Sequence, residues 1–172
     1  YARLKITKVM ALAVTHVLLT IVVLDLFRHY LFGKHKFPRY WLVIGGVAGL
    51  FPDIDIPLGW AYNFLTGSAI NIHGMFTHSI IFPALFLVAG FIFHYQRKSK
   101  WAGWCFVIAG GWFMHGLLDC TFGGYKDFFW PLFVNNFCPQ FGIDKFAPHI
   151  DAVILVLWLV HEELHKRIRD YI

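Results

Sequence analysis

Seven side chains of metal-ligating type, His16, Asp53, Asp55, His73, His78, His115 and Asp119, stand within or at the ends of long apolar runs. Ionisable groups are costly in such surroundings and by default mark function. Histidine and carboxylate are the ligands of hydrolytic zinc, manganese and related divalent ions. Lysine and arginine, the counter-charges of simple ion pairing, are absent from the set. His115 and Asp119 are four residues apart, so on a helix they share one face and can reach one ion, or the aspartate can bridge two. Asp53 and Asp55 follow Pro52 in a turn or extended stretch, where alternate side chains point the same way. His78 opens an apolar run, with Thr77 or Ser79 able to cap the helix. His73 folds back towards it if the segment between them turns, which Gly74 eases.

Those runs bound the class of protein. In 172 residues, 58% are hydrophobic and only 15% charged, and the mean hydropathy is +0.59. Soluble domains run near half apolar and a quarter charged, so the chain reads as one integral-membrane domain over residues 1–172. The net charge of +5 does not argue for nucleic acid, because the basic residues gather at the ends of apolar runs, as in the loops of membrane proteins. Cys105, Cys120 and Cys138 are odd in number and lack knuckle or redox spacing, so no disulfide framework is expected. The first apolar run is long enough to be retained rather than cleaved as a signal.

A spanning helix takes about 20 residues. Residues 9–27, 78–95, 101–119 and, less fully, 146–160 are expected as spans, and residues 40–51 as a short half-span ending at Pro52. The expected fold is thus an all-α polytopic bundle of four full or near-full spans plus one half-span helix. Threading it puts ten of the fifteen basic residues on one face: Arg28, Lys34, Lys36, Arg39, Arg97, Lys98, Lys100, Lys166, Arg167 and Arg169. Arg3, Lys5, Lys8, Lys126 and Lys145 fall on the other. The basic bias makes the first face cytoplasmic, with the C-terminus inside and the ligand residues towards the non-cytoplasmic side of an inner membrane. The half-span leaves Pro52-Asp53-Ile54-Asp55 at membrane depth, where irregular backbone is tolerated only inside protein or against water. Gly45, Gly46 and Gly49 give this helix a smooth side for packing. The aromatic stretch from Cys120 to Lys145, with Gly123-Gly124 and Asn135-Asn136, is expected to fold over the bundle mouth.

Threading also brings His16 and the other six residues to one depth. Remaining histidines, His29, His35, His94, His161 and His165, read as interfacial. His161-Glu162-Glu163-Leu164-His165 fits H-E-x-x-H in letters, yet it lies at the opposite edge, far from the other ligands. His149 and Asp151 open the last run and either orient a ligand or form a solvated helix start.

Thr15-His16-Val17-Leu18, Phe51-Pro52-Asp53-Ile54-Asp55, His73-Gly74-Met75-Phe76-Thr77-His78-Ser79, His115-Gly116-Leu117-Leu118-Asp119-Cys120-Thr121 and Trp130-Pro131 follow in that order. They resemble the signature of the YdjM-like family of membrane-bound, metal-dependent hydrolases over about residues 11–132. One departure is that Gly74-Met75 stand where that family usually has Arg-Gly. The ligand order His16, Asp55, His73 or His78, and His115-xxx-Asp119 is also similar, more distantly, to zinc-dependent phospholipase C.

The reading is a membrane-embedded hydrolase holding one to three divalent ions, zinc before others, and acting on a phosphoester or lipid headgroup. Asp55, His115 and Asp119, completed by His73 or His78, are the first expected ligands. His16 joins Asp119 at a second ion, and Asp53 binds metal or serves as the catalytic base. Phe128, Phe129 and Trp130 form an apolar lip or pack at the membrane interface. The alternative is a non-catalytic membrane subunit with a structural metal or polar core, and with a protein partner or a second copy. A carrier would need polar groups continuing to the other face, and beyond Asp25 few are expected.

Overall fold

The structure, a computed structural model, describes residues 2–33, 35–74, 76–122, 128–132, 138–139, 141 and 143–164, with side chains from residue 13 onward except that of residue 144. Met75, Gly123-Gly124, Lys126, Asn135-Asn136, His165, Lys166, Arg167 and Arg169 lie outside the described residues, as do the side chains of Arg3, Lys5 and Lys8.

Six α-helices follow one another, α1 (Ala2–Phe27), α2 (Tyr40–Ala48), α3 (Asp55–Thr66), α4 (Ile81–Tyr95), α5 (Ser99–Phe122) and α6 (Ala147–Leu164), with no strand among the described residues. The all-α expectation holds; the number of spans does not. Among the described residues, two helices are long and apolar enough to cross a membrane, Ala13–Phe32 and Ser99–Phe122. A third arises only if the pair Tyr40–Ala48 and Phe51–Thr66, bent by 48°, is taken as one broken span. α4 is apolar throughout but has 15 residues, about 22 Å at 1.5 Å per residue, against a hydrocarbon core of about 30 Å. α6 carries Asp151, Glu162 and Glu163 in its 18 residues, too many carboxylates for a plain span.

α2 is short, nine residues, and stops at a Gly49 cap whose N–H bonds the Gly45 carbonyl. A 3₁₀ turn, Phe51–Ile54, then leads directly into α3. The expected elements include no helix over Asp55–Thr66, so α3 is an addition. Pro57 falls in the first turn of α3, where its missing N–H leaves no bond unmade. Gly67, at φ +66°, ends that helix in the left-handed conformation glycine tolerates.

α5 is the hub, packed on α4, α2 and α1, with α6 packed on α1. Leu24, Phe37, Leu42 and Val107 form one apolar cluster between α1, α2 and α5; Leu118, Phe122 and Ala147 form another between α5 and α6. Around them the usual polarity is inverted. The largest fully buried side chains include His16, His115, Thr20, Asp25 and Asp55, while Phe64, Leu65, Val88, Phe91 and Leu157 face outward. A polar interior and an apolar exterior suit a chain surrounded by lipid.

The α2–α5 contact is close because it is built on glycine. A Cβ at Gly111 would run into the Gly45 carbonyl and stand 3.0 Å from the Ala48 Cβ. Both obstacles belong to rigid helix, so the packing relaxes little. Gly111→Ala is expected to lower stability by about 1–3 kcal/mol, the usual cost of overpacking. Thermal unfolding in detergent measures it; an unchanged midpoint would show that α2 is not held against α5 in this way.

Candidate metal centre

The seven residues named from the sequence do converge. His115 lies one turn beyond Gly111 on the same face of α5, which brings its Nδ1 to 2.7 Å from the Gly49 carbonyl. A carbonyl only accepts, so Nδ1 carries the proton and the Nε2 lone pair points away into the site. His78 ends the 3₁₀ turn Phe76–His78 that precedes α4. Its Nδ1 is 3.1 Å from the Thr77 hydroxyl oxygen and 3.3 Å from Asp55 Oδ2. Thr77 in turn donates to Asp55 Oδ2 at 2.8 Å, so both groups facing Nδ1 accept and Nδ1 is again the protonated nitrogen. His78 Nε2 therefore presents a second lone pair.

The two Nε2 atoms face one another at 3.2 Å. Asp119 Oδ2 lies 3.1 Å from that of His115 and 3.4 Å from that of His78. Asp53 Oδ1 stands 3.6 and 3.7 Å from the same two atoms. Each of the two carboxylate oxygens thus stands 3.1–3.7 Å from both imidazole nitrogens. Ligands about 2.0–2.1 Å from a tetrahedral zinc ion stand about 3.3–3.4 Å apart. The chemistry of the donor set and its spacing both fit a divalent cation.

The flanking residues hold this group in place. His16 Nε2 is 3.2 Å from Asp119 Oδ1, and its ring lies 4.0 Å from that of His115. Asp55, fully buried at the start of α3, accepts from His73 Nδ1 at 2.9 Å, the Gly74 N–H at 2.9 Å and the Thr77 hydroxyl. Gly74 adopts φ +87° to make its bond, so the turn that returns His73 to the site is the one anticipated from this glycine. Three overlapping groups each offer ligand atoms within 4.8 Å: His16, His115 and Asp119; Asp53, His78 and His115; Asp55, His73 and His78. The cluster opens at one edge, where Asp53 is 22% exposed and His73 35%, beside exposed Phe51, Ile54 and Trp130.

The Thr77 hydroxyl and the Gly49 carbonyl had no role in the sequence analysis beyond a possible cap at Thr77. Ser79, not Thr77, meets the helix start, with the Ile81 N–H at 3.3 Å. Thr77→Val removes the oxygen that bridges Asp55 and His78 and is expected to lower metal affinity by roughly 10–100-fold, the scale of such supporting bonds. Thr77→Ser should restore most of it. Competition with a chromogenic chelator reads both, and a Val variant with unchanged affinity would remove Thr77 from the site.

A second polar group corrects the picture of an apolar opposite half. Asp25, Arg28, His29 and Glu162 are buried between the end of α1 and the end of α6. His29 is thus no interfacial histidine: its side chain is 2% exposed, with Nδ1 3.4 Å from Asp25 Oδ2. Arg28 is no loop cation either, its Nε donating to the Phe37 carbonyl at 3.0 Å. Asp25, His29 and Glu162 offer atoms within metal-ligating reach of one another. The Arg28 Nη1, however, stands 3.5 Å from Asp25 Oδ1 and 3.4 Å from His29 Nε2. A guanidinium only donates, so His29 Nε2 accepts and Arg28 supplies the positive charge there. His161 of the H-E-x-x-H letters instead bonds the Tyr30 hydroxyl at 2.9 Å through Nε2.

The cysteines also differ from expectation. Cys120 and Cys138 form a disulfide across 18 residues, leaving Cys105 free among the described residues. Spacing in the chain carried no sign of it, because the intervening segment must fold back before the two sulfurs meet.

The profile of one family of membrane proteins matches residues 10–169, nearly the whole chain. The chain belongs to the YdjM inner membrane protein family. The YdjM match covers α1 from its third turn onward, all seven residues of the cluster and the whole of α6. It agrees with the inverted polarity of the fold, and membrane residence follows from both. No curated protein and no solved structure matches the chain.

Proposed function

We propose that the protein is a membrane-embedded hydrolase that uses one divalent cation, zinc first, held by His78, His115 and Asp119, with Asp53 beside the position left for water. The observation that carries this is the convergence of two imidazole lone pairs and two carboxylate oxygens at 3.1–3.7 Å. One ion rather than three is favoured because His115 has a single nitrogen to give, its Nδ1 being committed to Gly49. Two of the three ligand groups share that residue.

When bound, the cation would lower the pKa of a water towards neutrality and draw charge from the attacked group. The protein's own residues do the rest. His78, His115 and Asp119 are the buried ligands, fixed by Thr77, Gly49 and His16. Asp53 occupies the solvent-facing corner, where its carboxylate takes the proton released by the attacking water. Asp55 orients His73 and His78 from behind.

A phosphodiester of a lipid headgroup is the substrate class we favour. The cluster has three carboxylates and, in the contacts described, no lysine or arginine to bind a doubly charged monoester. Phe51, Ile54 and Trp130 give the opening an apolar rim suited to acyl chains. The basic residues at the ends of the apolar runs support a cytoplasmic C-terminus with the cluster towards the opposite face.

Zinc-loaded protein in detergent is expected to cleave diester phospholipids, to stop when a chelator strips the metal and to resume on its return. Stoichiometric metal without turnover on any diester or monoester lipid would favour a second reading, a non-catalytic membrane subunit. That reading has its own support: if Asp53 stays ligated, four protein ligands close the shell, as in structural zinc sites.

A further inference from the structure

We propose that the Cys120–Cys138 disulfide is a redox clasp that keeps the metal centre assembled, so that reducing it loosens the protein's grip on the ion. The inference rests on the metal reading above and adds a control that the reading does not contain.

Three ligands of the centre each have a chain neighbour gripped by one segment. Cys120 directly follows Asp119 and is bonded to Cys138. Ser79 directly follows His78, and its hydroxyl donates to the Trp130 carbonyl at 2.7 Å and lies 3.2 Å from that of Phe128. The Ile80 N–H donates to the Phe128 carbonyl at 2.9 Å. Gly116 directly follows His115, and the Phe128 ring lies so close that a Cβ there would stand 2.9 Å from it. Phe128 and Trp130 therefore strap the chain beside His78 and His115, and Cys138 holds the chain beside Asp119. The disulfide joins the chain on the two sides of that strap, one end of the link adjoining a metal ligand. Opening it removes the one covalent link described beside the strap and leaves its hydrogen bonds and ring contacts in place.

The chemistry also fixes a compartment. Such a bond persists where thiols are oxidised, outside the cytoplasm. Cys105, the free thiol, precedes Cys120 by 15 residues on the same helix, about 22 Å along its axis. One helix thus carries a bonded cysteine at the metal-centre end and a free one towards the basic loop at Lys98 and Lys100. Reduction by a phosphine is balanced: the S–S bond takes two electrons and two protons, water supplies the oxygen, and phosphine oxide and two thiols result.

The test uses full-length protein in detergent, zinc-loaded, in a Cys105→Ser background. Thiol counting should give none before phosphine treatment and two after it. Zinc transfer to a chromogenic chelator should become about tenfold faster or more on reduction, the scale on which supporting contacts alter metal sites. The Cys120→Ser, Cys138→Ser pair should show the fast rate from the outset; should it fail to fold, the reduced protein still gives the answer. Amide exchange at Ile80 reads the clasp without any metal and should rise on reduction. Two reactive thiols in the untreated protein, or equal zinc transfer and equal Ile80 exchange in both states, would overturn the clasp. Oxidised protein that binds no zinc, yet shows the rise in Ile80 exchange, would overturn the metal reading and the clasp's metal function while leaving the strap.

Discussion

Replacing Asp119 by alanine should leave a protein that no longer retains zinc, against about one ion per chain in the parent. Asp119 meets the three buried histidines of the cluster: Oδ2 lies 3.1 Å from His115 Nε2 and 3.4 Å from His78 Nε2, and Oδ1 lies 3.2 Å from His16. Without it, two nitrogen lone pairs still face each other at close range, but the buried negative charge that makes the point attractive to a cation is gone. The loss should exceed the roughly 10–100-fold typical of a supporting residue, because a ligand itself is removed. Elemental analysis beside circular dichroism separates metal loss from unfolding. Asp119→Asn, which keeps the shape and one oxygen, should retain an intermediate amount. Full occupancy in the alanine variant would sink the proposed centre.

Asp53→Asn should behave in the opposite way, holding its metal and losing turnover. The carboxylate is the most distant of the four from the two imidazoles, at 3.6 and 3.7 Å, and stands at the open edge. Its contribution to holding the ion is thus the smallest, whereas an amide cannot take up a proton at all. General-base removal costs on the order of 10²–10⁴ in rate, and phospholipid cleavage by the loaded variant should fall on that scale. If zinc leaves with the carboxylate, Asp53 is an indispensable ligand and the centre is closed, which is the structural reading.

The parts of this centre legible in the sequence were those that chain periodicity exposes. His115 and Asp119 share a helical face at four residues' spacing, and Asp53 and Asp55 flank one turn. Their types, out of place in apolar runs, announced the rest. Three kinds of feature stayed hidden. α3 was concealed because Pro57 and Gly59 signal a break only in a helix interior, and Pro57 lies in its first turn. Arg28 and His29 looked like interfacial residues because nothing local shows that Asp25 and Glu162 lie ready across the bundle to receive them. The Cys120–Cys138 bond and the span count depend on how segments far apart in sequence return to one another, which no short window contains.

The Gly49 carbonyl has a consequence for genetics. It sets which nitrogen of His115 is available, yet no substitution at residue 49 can delete it, since every amino acid brings the same atom. Screens that read function from side-chain changes are blind to such a group. Its influence can be reached by moving it, with bulk at Gly111 or at Gly49 itself, or by replacing the amide with an ester during chemical synthesis, which weakens the carbonyl as an acceptor. A map of damaging mutations would therefore show a glycine on α5, with no chemistry of its own, scoring beside the histidines and aspartates.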